Sequence, residues 1–247
     1  FLVKKSGSTY KRGGVIDKNI RWGFDLYPER RGAKYQPSFT KIALLGEGRE
    51  NIDKIKCEKN VWGCVQNSNY ILYCIILMIF SEVDLTRHIS CEVCDVSVSG
   101  GYDSELNQVV ICQNVTRSEG MTQGVLTHEL IHMFDYCRNK LDFKNLEHLA
   151  CTEIRAANLA HCSFLSAFSQ GDASPFKIAK AHQECVKTKA AFSVMAVRRI
   201  SEAEAREVVD RVFDRCYNDL EPIGRRIRRN SLDMHKAYKE RYAYGYD

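Results

Sequence analysis

The chain has 247 residues, 45% of them hydrophobic and 27% charged, with only 15 Gly and 4 Pro. That balance excludes a disordered, collagenous or low-complexity protein and fits one domain, at most two, large enough to bury a core without disulfides. The net charge of +5 is unevenly placed: residues 1–50 hold 11 Lys/Arg against 5 Asp/Glu, the remainder is nearly neutral, and Arg225, Arg226, Arg228 and Arg229 form a second basic cluster. Two basic ends around a neutral body suit an anionic membrane surface, nucleic acid or plain solvated tails; with the body neutral, no nucleic-acid partner is expected.

In chain order, residues 1–50 are rich in Gly, Lys and Arg without sustained periodicity, and read as a flexible or loosely docked arm. Phe1 stands where an initiator Met would, so the chain reads as a fragment or processed form, with any upstream targeting signal out of view. Residues 60–81 carry no charge, but Gln66, Asn67, Ser68 and Asn69 interrupt them. The apolar run that remains, residues 70–80, is about half of the roughly 20 residues a membrane-spanning helix needs. It reads as a buried segment or a membrane-surface anchor.

Beyond Cys91 the pattern becomes that of strands. Val96-Ser97-Val98 alternates, Gly100-Gly101 is a turn signal and Gln108 to Cys112 is a β-branched run, which together predict a hairpin. Residues 125–139 place Val125, Leu126, Leu130, Met133 and Phe134 at helical spacing, and residues 146–168 predict a second helix or pair of helices. A long helical pattern follows Pro175 to about residue 199, and Ser201 with Glu204 forms a capping box opening a helix toward Cys216. The fold class is α+β: a small antiparallel sheet or hairpin followed by a helical bundle. The expected divisions are 1–84, a basic arm and an uncharged segment; 85–222, one domain; and 223–247, a basic tail.

Eleven cysteines are spread over three quarters of the chain. In a reducing compartment that density is an oxidation hazard, so several disulfides in an oxidising or thiol-oxidase-served compartment are expected, and the odd count leaves at least one thiol without an internal partner. The rival is zinc binding by Cys91 and Cys94, a single C-x-x-C without a second pair at matching spacing.

The chemistry is concentrated in His128-Glu129-Leu130-Ile131-His132. Two histidines four apart lie on one helix face and can share a zinc ion, while Glu129 between them can reach a water on that ion. Zinc lowers the pKa of such a water to about 7, and Glu129 would take its proton during attack on a peptide carbonyl and pass it to the leaving amine. The preceding β-run offers an edge for an extended substrate. Asp135, His148 and Glu153 compete as third ligand. Asp135 shares the helix, where three ligands give poor tetrahedral geometry, and reads as a partner orienting a histidine. Glu153 is preferred: it sits on the next helix beside Ala150, Ala156, Ala157 and Ala160, small residues that permit a close approach, and His148 lies roughly 140° around from it. His88, His161, His182 and His235 read as surface or packing residues, and Asn114-Val115-Thr116 as a glycosylation sequon that matters only in the secretory pathway.

Cys91-Glu-Val-Cys94, Gly100-Gly101-Tyr102-Asp103, Val110-Ile-Cys112-Gln-Asn114, the stretch Thr127 to Asp135, Cys137-Arg138, the stretch His148 to Asn158, and Asn218-Asp219-Leu220-Glu221-Pro222 together resemble the mitochondrial inner membrane metalloprotease family that matures subunit 6 of the ATP synthase and assists its assembly. The resemblance covers about residues 88–222 and implies a zincin-like zinc endopeptidase of the intermembrane space, peripheral to the inner membrane surface. It further implies the subunit 6 precursor as substrate, a chaperone role in its assembly, and disulfides introduced by the thiol-oxidising import machinery. His128 and His132 carry over as ligands and Glu129 as catalytic residue; Glu153 rests on the residues alone. Between Cys57 and His88 the chain departs from the family, with an uncharged stretch and the extra cysteines Cys64 and Cys74. The alternatives are a non-proteolytic interaction or assembly protein with a structural metal site, and a secreted zinc protease.

Overall fold

In a computed structural model of the chain, residues 26–31, 39–40, 50–67, 85–162 and 175–224 are described, together with isolated positions 236, 239, 240 and 243. The run Gln-Val-Val-Ile-Cys lacks a polar alternation because it forms a strand buried on both faces. This strand, β3 (Gln108–Cys112), is the centre of a three-stranded sheet, with β1 (Ile89–Glu92) parallel on one side and β2 (Gly100–Asp103) antiparallel on the other. Val109 and Ile111 point to one face with Cys91, against Leu126 and Leu130; Val110 and Cys112 point to the other, against Leu26 and Tyr27.

Gly100 and Gly101 are not the hairpin turn that the sequence predicts but lie inside β2, and the chain reverses through Glu105 to Asn107, whose φ of 49° supplies the left-handed residue. The glycines serve close approach instead. A Cβ on Gly100 would collide with the Val125 side chain and stand 2.7 Å from the Val110 carbonyl oxygen, and one on Gly101 would collide with the Tyr27 hydroxyl. Likewise Val96-Ser97-Val98 is a turn: Asp95 Oδ1 accepts from Ser97 N at 2.9 Å.

Helix α1 (Glu50–Asn67) precedes the sheet; α2 (Glu119–Arg138), α3 (Leu146–Ala156), α4 (Pro175–Arg198) and α5 (Glu202–Asn218) follow it. α2 starts six residues before the predicted position, capped by Ser118, whose Oγ accepts from Met121 N at 3.3 Å. Its first turns, Glu-Gly-Met-Thr-Gln-Gly, show no apolar stripe because they are mostly exposed. Residues 128–135 are buried without interruption, so α2 passes through the middle of the domain. α3 is buried on both sides: Ala156 packs with the core around α2, Ala150 and Ala157 with the core around α4 and α5. The small residues therefore admit neighbours on two faces. α3 ends in a π turn, Ala157–His161, and residues 163–168, also expected to be helical, lie outside the described residues. The Ser201 cap is formed, its Oγ accepting from Glu204 N at 3.2 Å.

Two segments expected to stand outside the domain are attached to it. Arg30, whose side chain is 6% exposed, bonds Glu92 of β1 and Asp103 of β2, both at 2.7 Å. α1 is joined to β1 by the Cys57–Cys91 disulfide. Cys94–Cys112, Cys151–Cys216 and Cys162–Cys185 complete four disulfides, so Cys91 and Cys94 are bonded to different partners and are not zinc ligands. Among the described residues Cys64 and Cys137 stand in no disulfide, and Cys74 lies outside the described residues, as do residues 70–80 and the basic cluster at 225–229.

Arg155 of α3, 1% exposed, joins the helices to the C-terminal segment. Its Nε donates to both oxygens of Asp135 on α2 at 2.9 Å, Nη1 to the Asp219 carbonyl at 2.7 Å and Nη2 to the Glu221 carbonyl at 2.5 Å. Removing one member of a buried ion pair leaves the other unpaired, at a cost of about 3–5 kcal/mol. Arg155→Leu is expected to lose that much stability in urea unfolding. Arg138→Leu, which breaks half-exposed pairs to Asp219 and Glu221, should lose about 1 kcal/mol or less.

Candidate metal centre

His128 and His132 rise from successive turns of α2 with their Nε2 atoms 3.0 Å apart, at 3% and 5% exposure. Glu153 of α3 faces them, Oε2 standing 3.4 Å from His128 Nε2 and Oε1 3.6 Å from His132 Nε2. Glu129 is equally buried, and one donor atom each of His128, Glu129 and His132 lies within 4.8 Å of the others. Outside this cluster, no trio of His, Cys, Asp and Glu among the described residues is so disposed.

The other sequence candidates go elsewhere. Asp135 holds Arg155 and Thr152, and His148 accepts from the Asp142 backbone N–H at 3.1 Å through Nδ1. Asp135 nevertheless orients a histidine, at one remove. Thr152 Oγ1 spends its only proton on Asp135 Oδ2 at 2.8 Å, so at 2.9 Å from His132 Nδ1 it can only accept. The proton of His132 is thus on Nδ1 and the lone pair of Nε2 faces Glu153. On the other imidazole, His128 Nδ1 stands 2.8 Å from His161 Nε2.

Burial pushes the His132 imidazole down to about 4, although Glu153 opposes the shift, and holds His128 and His161 well below the usual histidine range. Burial pushes Glu129 up to about 8, with Glu153 adding to the rise, and moves Glu153 upward as well, against His132. At neutral pH the imidazoles carry no charge. The Glu153 Oε2 atom is buried and accepts no hydrogen bond. Neutral nitrogens converging on an unbonded carboxylate oxygen form the donor set of a divalent cation such as zinc, so these residues fit a bound metal.

His161, Thr152 and Arg155 were not legible as site residues. At the α-helical 100° per residue His161 would sit about 80° around from Glu153, and only the wider π turn swings it back toward the same side. β3 cannot receive a substrate strand, since both its edges are paired. The outer edges belong to β1 and β2, and on β2 the outward carbonyl of Gly100 accepts from the Tyr27 hydroxyl at 2.8 Å. Asn114 of the sequon uses its side-chain amide on the backbone of Cys94, donating at 2.8 Å and accepting at 3.0 Å, which a glycan on that nitrogen would disturb.

The peptidase M76 family description matches residues 55–224, a span that takes in most of α1. The mitochondrial inner membrane protease ATP23 homolog of Danio rerio is 42% identical over 228 residues, covering 90% of this chain and 86% of that protein. The homolog from Homo sapiens is 41% identical over 225 residues, 89% and 84% of the two chains, and the ATP23 protease of the yeast Vanderwaltozyma polyspora is 37% identical over 196 residues, 77% and 67%. No solved structure matches the chain.

The shifted carboxyl has a thermodynamic consequence in the metal-free protein. Between the unfolded value of 4.5 and about 8, the folded state holds a proton on Glu129 that the unfolded state releases, so stability falls as pH rises through that window. His132 acts oppositely, but only between about 4 and 6.5. The midpoint of thermal unfolding of the metal-free protein should therefore fall from pH 6.5 to 8 in calorimetry, and Glu129→Gln should flatten that slope.

Proposed function

We propose, on the premise that the chain belongs to the peptidase M76 family, that it is a zinc-dependent endopeptidase of the mitochondrial inner membrane, acting on the intermembrane-space side. Its substrate in this reading is the precursor of ATP synthase subunit 6, whose assembly it also assists as a chaperone. The observation that carries the chemistry is the meeting of Glu153 from α3 with the paired Nε2 atoms of His128 and His132 from α2.

His128, His132 and Glu153 are the ligands. Zinc bound there supplies Lewis acidity that activates water and polarises a peptide carbonyl. Glu129 accepts the proton released by the attacking water on its carboxylate and delivers it to the nitrogen of the leaving amine. Its burial shields the proton from bulk water, and a carboxyl pushed up to about 8 would be returned toward the ionised form a base needs when a cation is bound beside it. Thr152, backed by Asp135 and Arg155, fixes the tautomer of His132, and His161 contacts Nδ1 of His128 on the side away from the ligand nitrogen.

Four disulfides support an oxidising compartment served by thiol-oxidising import machinery, and relatives named as inner membrane proteases support the location. Among the described residues no helix is long and apolar enough to cross a membrane, which suits peripheral attachment. The presence of Glu129 in the cluster weighs against a purely structural metal site, which has no use for a proton acceptor.

The test compares oxidised, zinc-loaded wild type with Glu129→Gln on a peptide spanning the processing region of the subunit 6 precursor. Wild type should cleave it, and Glu129→Gln should be slower by about 10²–10⁴-fold with its zinc retained. Glu153→Gln should lose most of its zinc on dialysis, and Thr152→Val should bind zinc about 10–100-fold more weakly. Undiminished cleavage by Glu129→Gln would overturn the assigned base, and full zinc occupancy in Glu153→Gln the third ligand.

A further inference from the structure

A helix that packs on a core by one side normally keeps large apolar side chains out of water on the other, and α1 does not. Ile52 and Ile55 are each 66% exposed and Trp62 55%. At 100° per residue these three and Lys59 fall within an arc of about 80°, with Lys56 beside them. Cys57, buried and bonded to Cys91, points the opposite way, and Cys64 and Val65 are buried too. The outward face is therefore apolar with Lys59 as the charge within it; Lys56 and Glu58 flank it on either side, and Asp53 is half-buried.

We infer that this face of α1 docks the protein on an anionic phospholipid surface. Isoleucine side chains and an indole suit the boundary between headgroups and acyl chains, and lysines flanking them reach the phosphates. The three apolar side chains expose roughly 400 Å² together, about half of what one partner gives to a stable protein interface. That area suits shallow insertion reinforced by charge better than a lasting protein complex. The sequence after Asn67 continues uncharged to Ser81, in keeping with the same surface.

The placement matters for the site. Cys64 Sγ of α1 donates to the Glu119 carbonyl at the start of α2, and Glu119 is nine residues, about 14 Å of helix, from His128. α1 thus packs by its buried side on the helix that carries His128 and His132, and leaves its other side to the surface. This inference deepens the location in the proposed function and is independent of its hydrolytic chemistry.

The experiment floats the full oxidised chain with vesicles of phosphatidylcholine containing about one fifth phosphatidylglycerol, and with phosphatidylcholine alone, in a Trp22→Phe background so that Trp62 is the sole indole. The parent should float with the anionic vesicles and its Trp62 emission should move to the blue. Ile52→Ser/Ile55→Ser/Trp62→Ser should lower the bound fraction about tenfold or more. Lys56→Glu/Lys59→Glu should lose binding to anionic vesicles alone. Unchanged disulfides and zinc content keep these variants interpretable. Flotation of the triple variant like the parent, no shift in Trp62 emission on bound protein, or no binding of the parent to anionic vesicles would each overturn the inference. Lost peptide cleavage with vesicle binding intact would count against the hydrolase reading only.

Discussion

The charge of Arg155 is the constraint from which the rest of the site follows. A guanidinium 1% exposed is tolerable only when nearly every donor is satisfied, and its partners come from three places: Asp135 on α2, and the Asp219 and Glu221 carbonyls past the end of α5. These contacts fix the rotation of α3 against α2. Glu153 is two residues from Arg155, and His132 is three from Asp135, so the ion pair that locks the helices also sets the distance between carboxylate and imidazole. The fork geometry of arginine does this with direction as well as charge, which lysine could not.

The electrostatics then propagate by hydrogen bonds of fixed sense. Arg155 holds the Asp135 carboxylate, the carboxylate takes the Thr152 proton, and the hydroxyl oxygen so committed accepts from His132. A serine could relay the same proton; a valine of the same shape would leave both His132 and Asp135 short of a partner. What arrives at the centre from His132 is an Nε2 lone pair without a proton. Burial enforces this by disfavouring charged imidazole, and the unbonded Oε2 of Glu153 completes a site whose electrostatic logic is satisfied by a cation.

Much of this was readable in the chain because it depends on local spacing. The four-residue interval of His128 and His132 places them on one face whatever the tertiary fold, and the alanines around Glu153 announce a helix that lets others come close. The family resemblance stated on the same residues agrees with the match over 55–224. What escaped depends on long-range geometry. β1 pairs in parallel with β3 across an intervening loop, and a four-residue strand carries no sign of its partner's direction. Gly100 and Gly101 have the composition of a turn, yet their role is to admit Val125 and Tyr27. His161 reaches His128 only through a π turn, which no periodicity at 3.6 residues could reveal.

The disulfides bind these two levels together. Glu153 lies between Cys151, tied to α5, and Cys162, tied to α4, and His161 is adjacent to Cys162. By loop length alone the Cys151–Cys216 link removes enough unfolded-chain entropy to contribute about 4 kcal/mol. Its greater consequence is positional, because α3 carries Glu153, Thr152 and Arg155 on one short rod held by covalent bonds at its middle, Cys151, and just past its π turn, Cys162. The proposed metal centre draws its residues from α2 and from an α3 whose π turn is joined by disulfides to the helices behind. The same two bonds that stabilise the helical layer therefore also restrict where the Glu153 carboxylate and the His161 imidazole can stand.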